Sequence, residues 1–290
     1  MNDISDISNT LFVTDLDGTL LNEHQTLSDA ALSFFLEHDA NHLNFTYATA
    51  RSLTSSRFVL DSLNLKLPVI LYNGAQIYCP VKQEYIHSAY LEQDVASSLI
   101  GQFIEDGMSP VVHCIDENGD LRVYFQNISN PSTAKWLNSR LERGDTRFRA
   151  TTGFSEITQS HVIEIMLADC HERLSAYQPM LDNDNMLSYV LSEDIYSPGH
   201  FWLEVSNAKA NKGDAVAALK THLNLSHIVT FGDNHNDIPM FQRSDWSFAV
   251  ENGVESAHAA ASHVIGKNTE DTVITQLRAI LQNSKTKQPA

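Results

Sequence analysis

The sequence predicts an α/β fold, a doubly wound parallel sheet, with an α+β module inserted into it. Three observations carry this expectation. Short, continuously apolar runs recur near both ends of the chain and stop at small or polar turn residues, as strands buried on both faces of a parallel sheet do. Helical periodicities lie between these runs, and strand alternating with helix is the doubly wound pattern. The middle of the chain reads differently, with half-polar, alternating strand patterns of the kind that cover one face only.

In chain order, the run 11–14 leads into Asp15, and Ser28 can N-cap a helix over 28–39. The run 43–48 leads into Thr49, a helix follows over 53–63, and 69–72 leads into Asn73 and Gly74. In the middle, helices are expected near 93–106, 131–143 and 170–182, on one face of strands at 111–115, 122–126, 162–167, 186–191 and 201–205. Asn118 and Gly119 are a hairpin signal between the first two of those strands. The alternating pattern then resumes: helix 212–222, strand 228–231 into Gly232 and Asp233, helix 235–242, strand 248–250 into Glu251 and Asn252, helix 270–282. The core is thus expected to be discontinuous, 1–81 with 206–290, and the inserted module to span 82–205. The polar end, 283–290, is expected to fray.

Composition narrows the function. At 290 residues, with 42% hydrophobic and 19% charged residues, the chain can bury a substantial core. Asp plus Glu total 36 against 19 Lys plus Arg, a net charge of −17. Such a surface repels phosphate backbones and anionic lipid, which argues against nucleic-acid and membrane partners. An anionic ligand would then need local attraction from a metal ion, a helix N-terminus or a few placed cations. The three cysteines, Cys79, Cys114 and Cys170, lie far apart and are odd in number, so reduced thiols in a cytoplasmic protein are expected. The first residues lack a basic segment followed by an apolar one, and no apolar run approaches a membrane span of about 20 residues.

The chemistry concentrates at strand ends. Asp15 and Asp17 lie two apart after the first strand, on one side of the chain, where open α/β sheets bind ligands. Close carboxylates repel, and a hard divalent cation such as Mg²⁺ is the usual partner for oxygen ligands. A second acidic cluster, Asp233 and Asp237 four residues apart, follows the strand at 228–231 and could complete a metal site with Asp15. Thr49 and Arg51 follow the second strand. Lys212 stands at a helix start, where backbone N–H groups already favour an anion. Carboxylates, a metal, a hydroxyl and a lysine are the parts of phosphoryl transfer, which depends on positioning and charge neutralisation. Alone, each string has an ordinary reading as a turn, a capped helix start or a solvated lysine; the order of the set is what points to a site. His235, amid these residues, reads as a solvent-facing loop histidine, because Mg²⁺ prefers oxygen. Cys114 and Cys170 read as packing residues, and His200-Phe201-Trp202 as a strand entering the inserted module's core.

Taken together these motifs resemble those of the haloacid dehalogenase superfamily, in its Cof-type or IIB branch. Asp-x-Asp-Gly-Thr is 15–19, Thr-Ala-Arg at 49–51 stands where the family has Thr-Gly-Arg, and Asn-Gly-Ala is 73–75. Lys-Gly is 212–213 and Gly-Asp-x-x-Asn-Asp is 232–237, while Val-Glu-Asn-Gly at 250–253 departs from the family's Met-Gly-Asn-Ala. The resemblance implies a Rossmann-like core with a substrate-selecting cap at 82–205, and a phosphatase for a small phosphorylated metabolite, sugar phosphates leading. It implies that Asp15 attacks phosphorus to form an aspartyl-phosphate and that Asp17 is the general acid and base. Mg²⁺ would be held by Asp15, the Asp17 backbone carbonyl and Asp233, with Asn236 and Asp237 orienting that shell. Thr49 and Lys212 would bind phosphoryl oxygens, supported by Asn73 and Arg51. Ala50 makes the turn after Thr49 an open question, because glycine allows backbone angles that alanine resists. A phosphotransferase or mutase using the same intermediate, and a non-catalytic binding protein, are the alternatives. The expected assembly is a monomer or weak homo-oligomer.

Overall fold

A computed structural model of the protein describes residues 4, 6–40, 42–126, 128, 131–142, 144–154, 157, 159–194 and 198–285. The chain divides into two compact units, Met1–Ser88 with Ala210–Ala290, and Ala89–Lys209. In the first unit it runs through β1 (Thr10–Thr14), α1 (Asp29–Glu37), β2 (Phe45–Tyr47), α2 (Leu53–Leu60), β3 (Val69–Leu71), β4 (Gln76–Cys79) and β5 (Glu84–Ser88). The second unit holds α3 (Gln93–Glu105), β6 (Val111–Ile115), β7 (Leu121–Phe125), α4 (Pro131–Glu142), β8 (Phe148–Ala150), β9 (His161–Asp169), α5 (His171–Ser175), α6 (Gln178–Asp182), β10 (Leu187–Glu193) and β11 (Phe201–Asn207). The chain then completes the first unit with α7 (Lys212–His222), β12 (His227–Gly232), α8 (Ile238–Gln242), β13 (Trp246–Val250), α9 (Glu255–Ala260), β14 (His263–Ile265) and α10 (Thr272–Lys285).

The first unit is built on a parallel sheet in the order β14-β13-β12-β1-β2. A parallel bridge between Ala48 and Ile70 sets β3 beside the end of β2. All five residues of β1 are buried, as a continuous apolar run at the centre of a parallel sheet requires. Leu11 and Val13 pack with Val216, Leu219, Ile228 and Phe241 from the helices and the neighbouring strand. Each such side chain contributes about 1.5–3 kcal/mol on burial. Ser28 caps α1 as expected, its hydroxyl accepting from the Ala31 N–H at 3.0 Å. From β1 the chain winds outward through β2 on one side, and on its return through β12, β13 and β14 on the other. The crevice between the carboxyl ends of β1 and β12 is therefore the point where the winding reverses, the usual ligand position in such sheets.

The second unit carries a sheet in the order β10-β11-β9-β6-β7-β8, antiparallel except for the β7–β8 pair. The expectation of helices on one face needs correction. Phe103, Leu174 and Leu181 of α3, α5 and α6 pack with Val112, Ile165 and Leu203 on one side, while Leu137 and Trp136 of α4 pack with Val111, Val123 and Met166 on the other. The helix expected at 170–182 is two short helices, the second opened by Pro179, whose fixed φ suits a helix start. Phe201 and Trp202 do lie on a core strand. Cys114 packs inside, where burial pushes its thiol up to about 11, but Cys170 is exposed. The two compact units divide at 88/89 and at 209/210. The cause is local: β5 pairs with β4, and β11 stays in the second sheet through Asn207. Among the described residues no helix is long and apolar enough to cross a membrane. The polar end beyond 285 lies outside the described residues.

Candidate active site

The site grows from the carboxyl ends of β1, β2, β3 and β12 and from the start of α7. Asp15 follows β1, and its backbone N–H donates to the Phe231 carbonyl at 2.8 Å, tying the end of β1 to β12. The chain then turns at Gly18, whose φ is +80°, a conformation that glycine adopts without steric cost. A Cβ at Gly18 would lie 2.6 Å from Asp233 Oδ2. Gly18→Ala is therefore expected to push the Asp233 carboxylate aside and weaken divalent-cation binding at least about tenfold; calorimetric titration with Mg²⁺ checks this, and wild-type affinity would reject it.

Lys212 is the first residue of α7, after Asn211, whose side chain accepts from the Asp214 N–H at 2.8 Å as an N-cap. The lysine side chain is wholly buried and donates to Asp15 Oδ1 at 2.5 Å and Asp237 Oδ1 at 2.7 Å. The other oxygen of Asp237 accepts the N–H groups of Asp233 and Asn234 at 2.8 and 3.0 Å. Asp237 thus holds both the lysine and the loop that carries Asp233. Asn73, at φ +52°, leads into Gly74, where a Cβ would lie 2.3 Å from the Asn211 carbonyl oxygen. The glycine lets the turn after β3 press against the start of α7.

Carboxylate oxygens of Asp15, Asp233 and Asp237 all lie within 4.8 Å of one another. Burial pushes the Asp15 carboxyl well above its usual range; Lys212 opposes this, and Asp237 and Asp233 add to it. Burial, then the Asp237 charge, raises Asp233 to about 7, against the opposing Thr19 hydrogen bond and Lys212. Burial works against the charge of Lys212, but Asp15 and Asp237 overcome it and hold the ammonium protonated. Three close carboxyl groups, two buried and one half-buried, share one ammonium, and the raised Asp15 and Asp233 carboxyls reflect burial together with that shortage of positive charge. An all-oxygen donor set of this kind fits a hard divalent cation.

The remaining expected residues join the same network. Arg51 places Nε 2.7 Å from Asp17 Oδ2 and a terminal nitrogen 2.6 Å from Asp17 Oδ1, so both arms of its fork lie on that carboxylate. Thr49 is buried, its hydroxyl accepts the Arg51 N–H at 3.1 Å, and its carbonyl accepts the Asn73 N–H at 3.0 Å. Asn236 Nδ2 donates to Asn73 Oδ1 at 2.9 Å, which ties Asn236 to Asn73. All nine expected residues are brought together. Ala50 is absent from the residues with positive φ, so the turn after Thr49 needs no glycine. Glu251 is exposed, and His235 is an exposed residue whose Nδ1 lies 2.9 Å from the Ser256 hydroxyl.

Three residues of the network went unassigned from sequence. Thr19 donates to Asp233 Oδ1 at 2.9 Å, Gln25 accepts from Arg51 at 3.0 Å, and Asn252 donates to the Gly18 carbonyl at 2.8 Å. Thr19 and Asn252 stand inside recognised motifs, which was signal enough to find them; Gln25 had none.

Residues 12–277 match the family of haloacid dehalogenase-like hydrolases. The chain is 25% identical to the putative phosphatase YxeH of Bacillus subtilis, over 91% of this chain and 95% of that one. It is 27% identical to the HMP-PP phosphatase of Enterobacter sp., over 89% of this chain and 91% of that one. Its fold matches a haloacid dehalogenase-like hydrolase from Bacteroides thetaiotaomicron with a TM-score of 0.77, at 20% identity, over 93% of this chain and 99% of that one. A family match over nearly the whole length, a shared fold and phosphatases among its relatives make this chain a haloacid dehalogenase-like hydrolase of phosphatase type.

Proposed function

We propose that the protein is a Mg²⁺-dependent phosphomonoesterase that hydrolyses a small phosphorylated metabolite, sugar phosphates leading, through an aspartyl-phosphate on Asp15. The observation that supports it most is the setting of Asp15: a buried carboxylate, one oxygen on the Lys212 ammonium, beside a cluster of acids suited to a divalent cation. Asp15 attacks phosphorus, the bond from phosphorus to the ester oxygen breaks, and Asp17 gives that oxygen a proton. Asp17 then takes a proton from the water that attacks the aspartyl-phosphate, which releases phosphate and restores Asp15. Lys212 and Thr49 bear on the phosphoryl oxygens, and Asn73 supports them. Carboxylates of Asp15 and Asp233 and the Asp17 carbonyl would hold Mg²⁺, which when bound would supply neutralising charge for those oxygens. Asn236 and Asp237 would orient that shell. The unit Ala89–Lys209 selects the substrate.

Release of p-nitrophenol from p-nitrophenyl phosphate by the purified protein, with and without Mg²⁺, tests this reading. Mg²⁺-dependent hydrolysis is expected, and a panel of phosphorylated metabolites then ranks substrates. A folded, Mg²⁺-loaded protein that hydrolyses neither the ester nor any panel member would reject it. The raised Asp233 carboxyl adds a pH dependence. Below about 7 a proton occupies it and must leave when the metal binds, so Mg²⁺ affinity is expected to fall as pH drops through that value, by at least about tenfold per unit, since the raised Asp15 carboxyl gives up a proton as well. Calorimetric titration between pH 5.5 and about 8.5 reads this directly; a flat profile would contradict it.

A further inference from the structure

The pairing of Arg51 with Asp17 brings in another residue, Gln25. The fork of Arg51 spans both oxygens of Asp17, and the nitrogen that bonds Oδ1 also donates to Gln25 Oε1 at 3.0 Å. Gln25 is held firmly. Asn22 Oδ1 accepts from the N–H groups of His24 and Thr26 and from the Thr26 hydroxyl, at 2.9, 3.1 and 3.1 Å. The Gln25 N–H donates to the Asn22 carbonyl at 3.0 Å. Its φ is +59°, a left-handed conformation that residues other than glycine adopt seldom and that clusters at functional sites. A long amide side chain in a conformation better suited to glycine calls for a reason in the side chain itself, and its contact with Arg51 supplies one.

A carboxylate that must hand a proton to a leaving oxygen has to be aimed, and an error of about 1 Å can cost about a hundredfold in rate. A bidentate guanidinium fixes the plane of the carboxylate. It uses two of the roughly four lone-pair sites and leaves the others for the leaving group. The fork itself sits on a long, flexible stem, and a contact from a pinned loop stops it from swinging. We propose that Gln25 is a positioning residue, which holds the Arg51 fork in place so that Asp17 is aimed at the leaving oxygen of the substrate. This rests on the reading of Asp17 as the general acid.

The test compares two esters of one shape, p-nitrophenyl phosphate and phenyl phosphate. Nitrophenolate leaves with little help from a proton, and phenolate needs far more. A residue that acts through the acid therefore matters more for phenyl phosphate, whereas one that binds phosphate affects both esters alike. Asp17→Asn is expected to lose at least about tenfold more kcat/KM, which reads phosphoryl transfer before the aspartyl-phosphate that both esters share, on phenyl phosphate than on p-nitrophenyl phosphate. Gln25→Ala should show the same bias in kcat/KM at about three- to tenfold, and Gln25→Glu, which keeps an acceptor for Arg51, should recover most of it. Gln25→Gly deletes the amide while relaxing the backbone, so it separates the side chain's role from misfolding. Equal losses of kcat/KM on both esters in the Ala and Gly variants, or no loss, would overturn the positioning role while the bias in Asp17→Asn still supports the acid. Equal losses in Asp17→Asn itself would overturn the acid reading and the positioning with it.

Discussion

Asp15→Asn is expected to lower phosphatase turnover by about ten-thousandfold or more while the protein stays folded. The amide keeps the size of the carboxylate but is a poor nucleophile. The structural cost is small. The bond that ties β1 to β12 here is the backbone N–H of residue 15, which the change leaves intact. Lys212 keeps Asp237, and the crowded acids lose one member. Stability should even favour the variant at neutral pH when no divalent cation is present. The Asp15 carboxyl is raised in the folded protein above its unfolded value of about 4. The folded state therefore binds more protons than the unfolded state between those two values, and wild-type stability falls as pH rises through that window. The Asn variant lacks this slope, so its advantage should grow with pH. Hydrolysis of p-nitrophenyl phosphate and thermal unfolding at several pH values provide both readouts, and appreciable turnover by the variant would rule out Asp15 as nucleophile.

The second large effect is that of Lys212→Ala, which should damage both the fold and the reaction. Its ammonium is fully buried between two acids, Asp15 and Asp237. Removing one partner from a buried ionic group leaves uncompensated charge and costs about 3–5 kcal/mol. Lys212 is the strongest influence lowering the Asp15 carboxyl, so its loss lets that group rise further. By the same linkage, the defect should be smallest in mild acid, grow with pH and shrink when Mg²⁺ is added. At saturating Mg²⁺, kcat/KM should remain at least about a hundredfold below wild type, because the phosphoryl oxygens have lost their fixed cation. Unfolding curves with and without Mg²⁺, beside steady-state kinetics, separate the two effects. Unchanged stability at pH 8 would contradict the buried-pair argument, and unchanged kcat/KM would contradict phosphate binding.

Where the expectations from sequence missed, the reasons are physical. Strands β4, β5, β8 and β14 and helix α9 are short or interrupted, and their signals fall below those of the turns around them. The faces of the second sheet were misjudged because α4 is a largely polar helix whose apolar contact is confined to a few residues such as Trp136 and Leu137. The turn at Ala50 was an open question by analogy, and the backbone there takes no positive φ while the Thr49 hydroxyl accepts the Arg51 N–H. Arg51 was expected near the phosphate as support, and its grip on Asp17, 34 positions away in the chain, carries no signal in the sequence.

Residue type and order by themselves determined the class of fold and the chemical parts of the site. An apolar run ending in acids carries that information locally, because burial and charge repulsion act on neighbours in the chain. Only the tertiary structure decided which parts pair. Lys212 lies 197 residues from Asp15 and 25 from Asp237, and Gln25 lies 26 from Arg51. Those partners are chosen by strand order, by register and by the direction in which each side chain leaves its strand end. These are set by packing across the whole first unit, and no local stretch of sequence carries them.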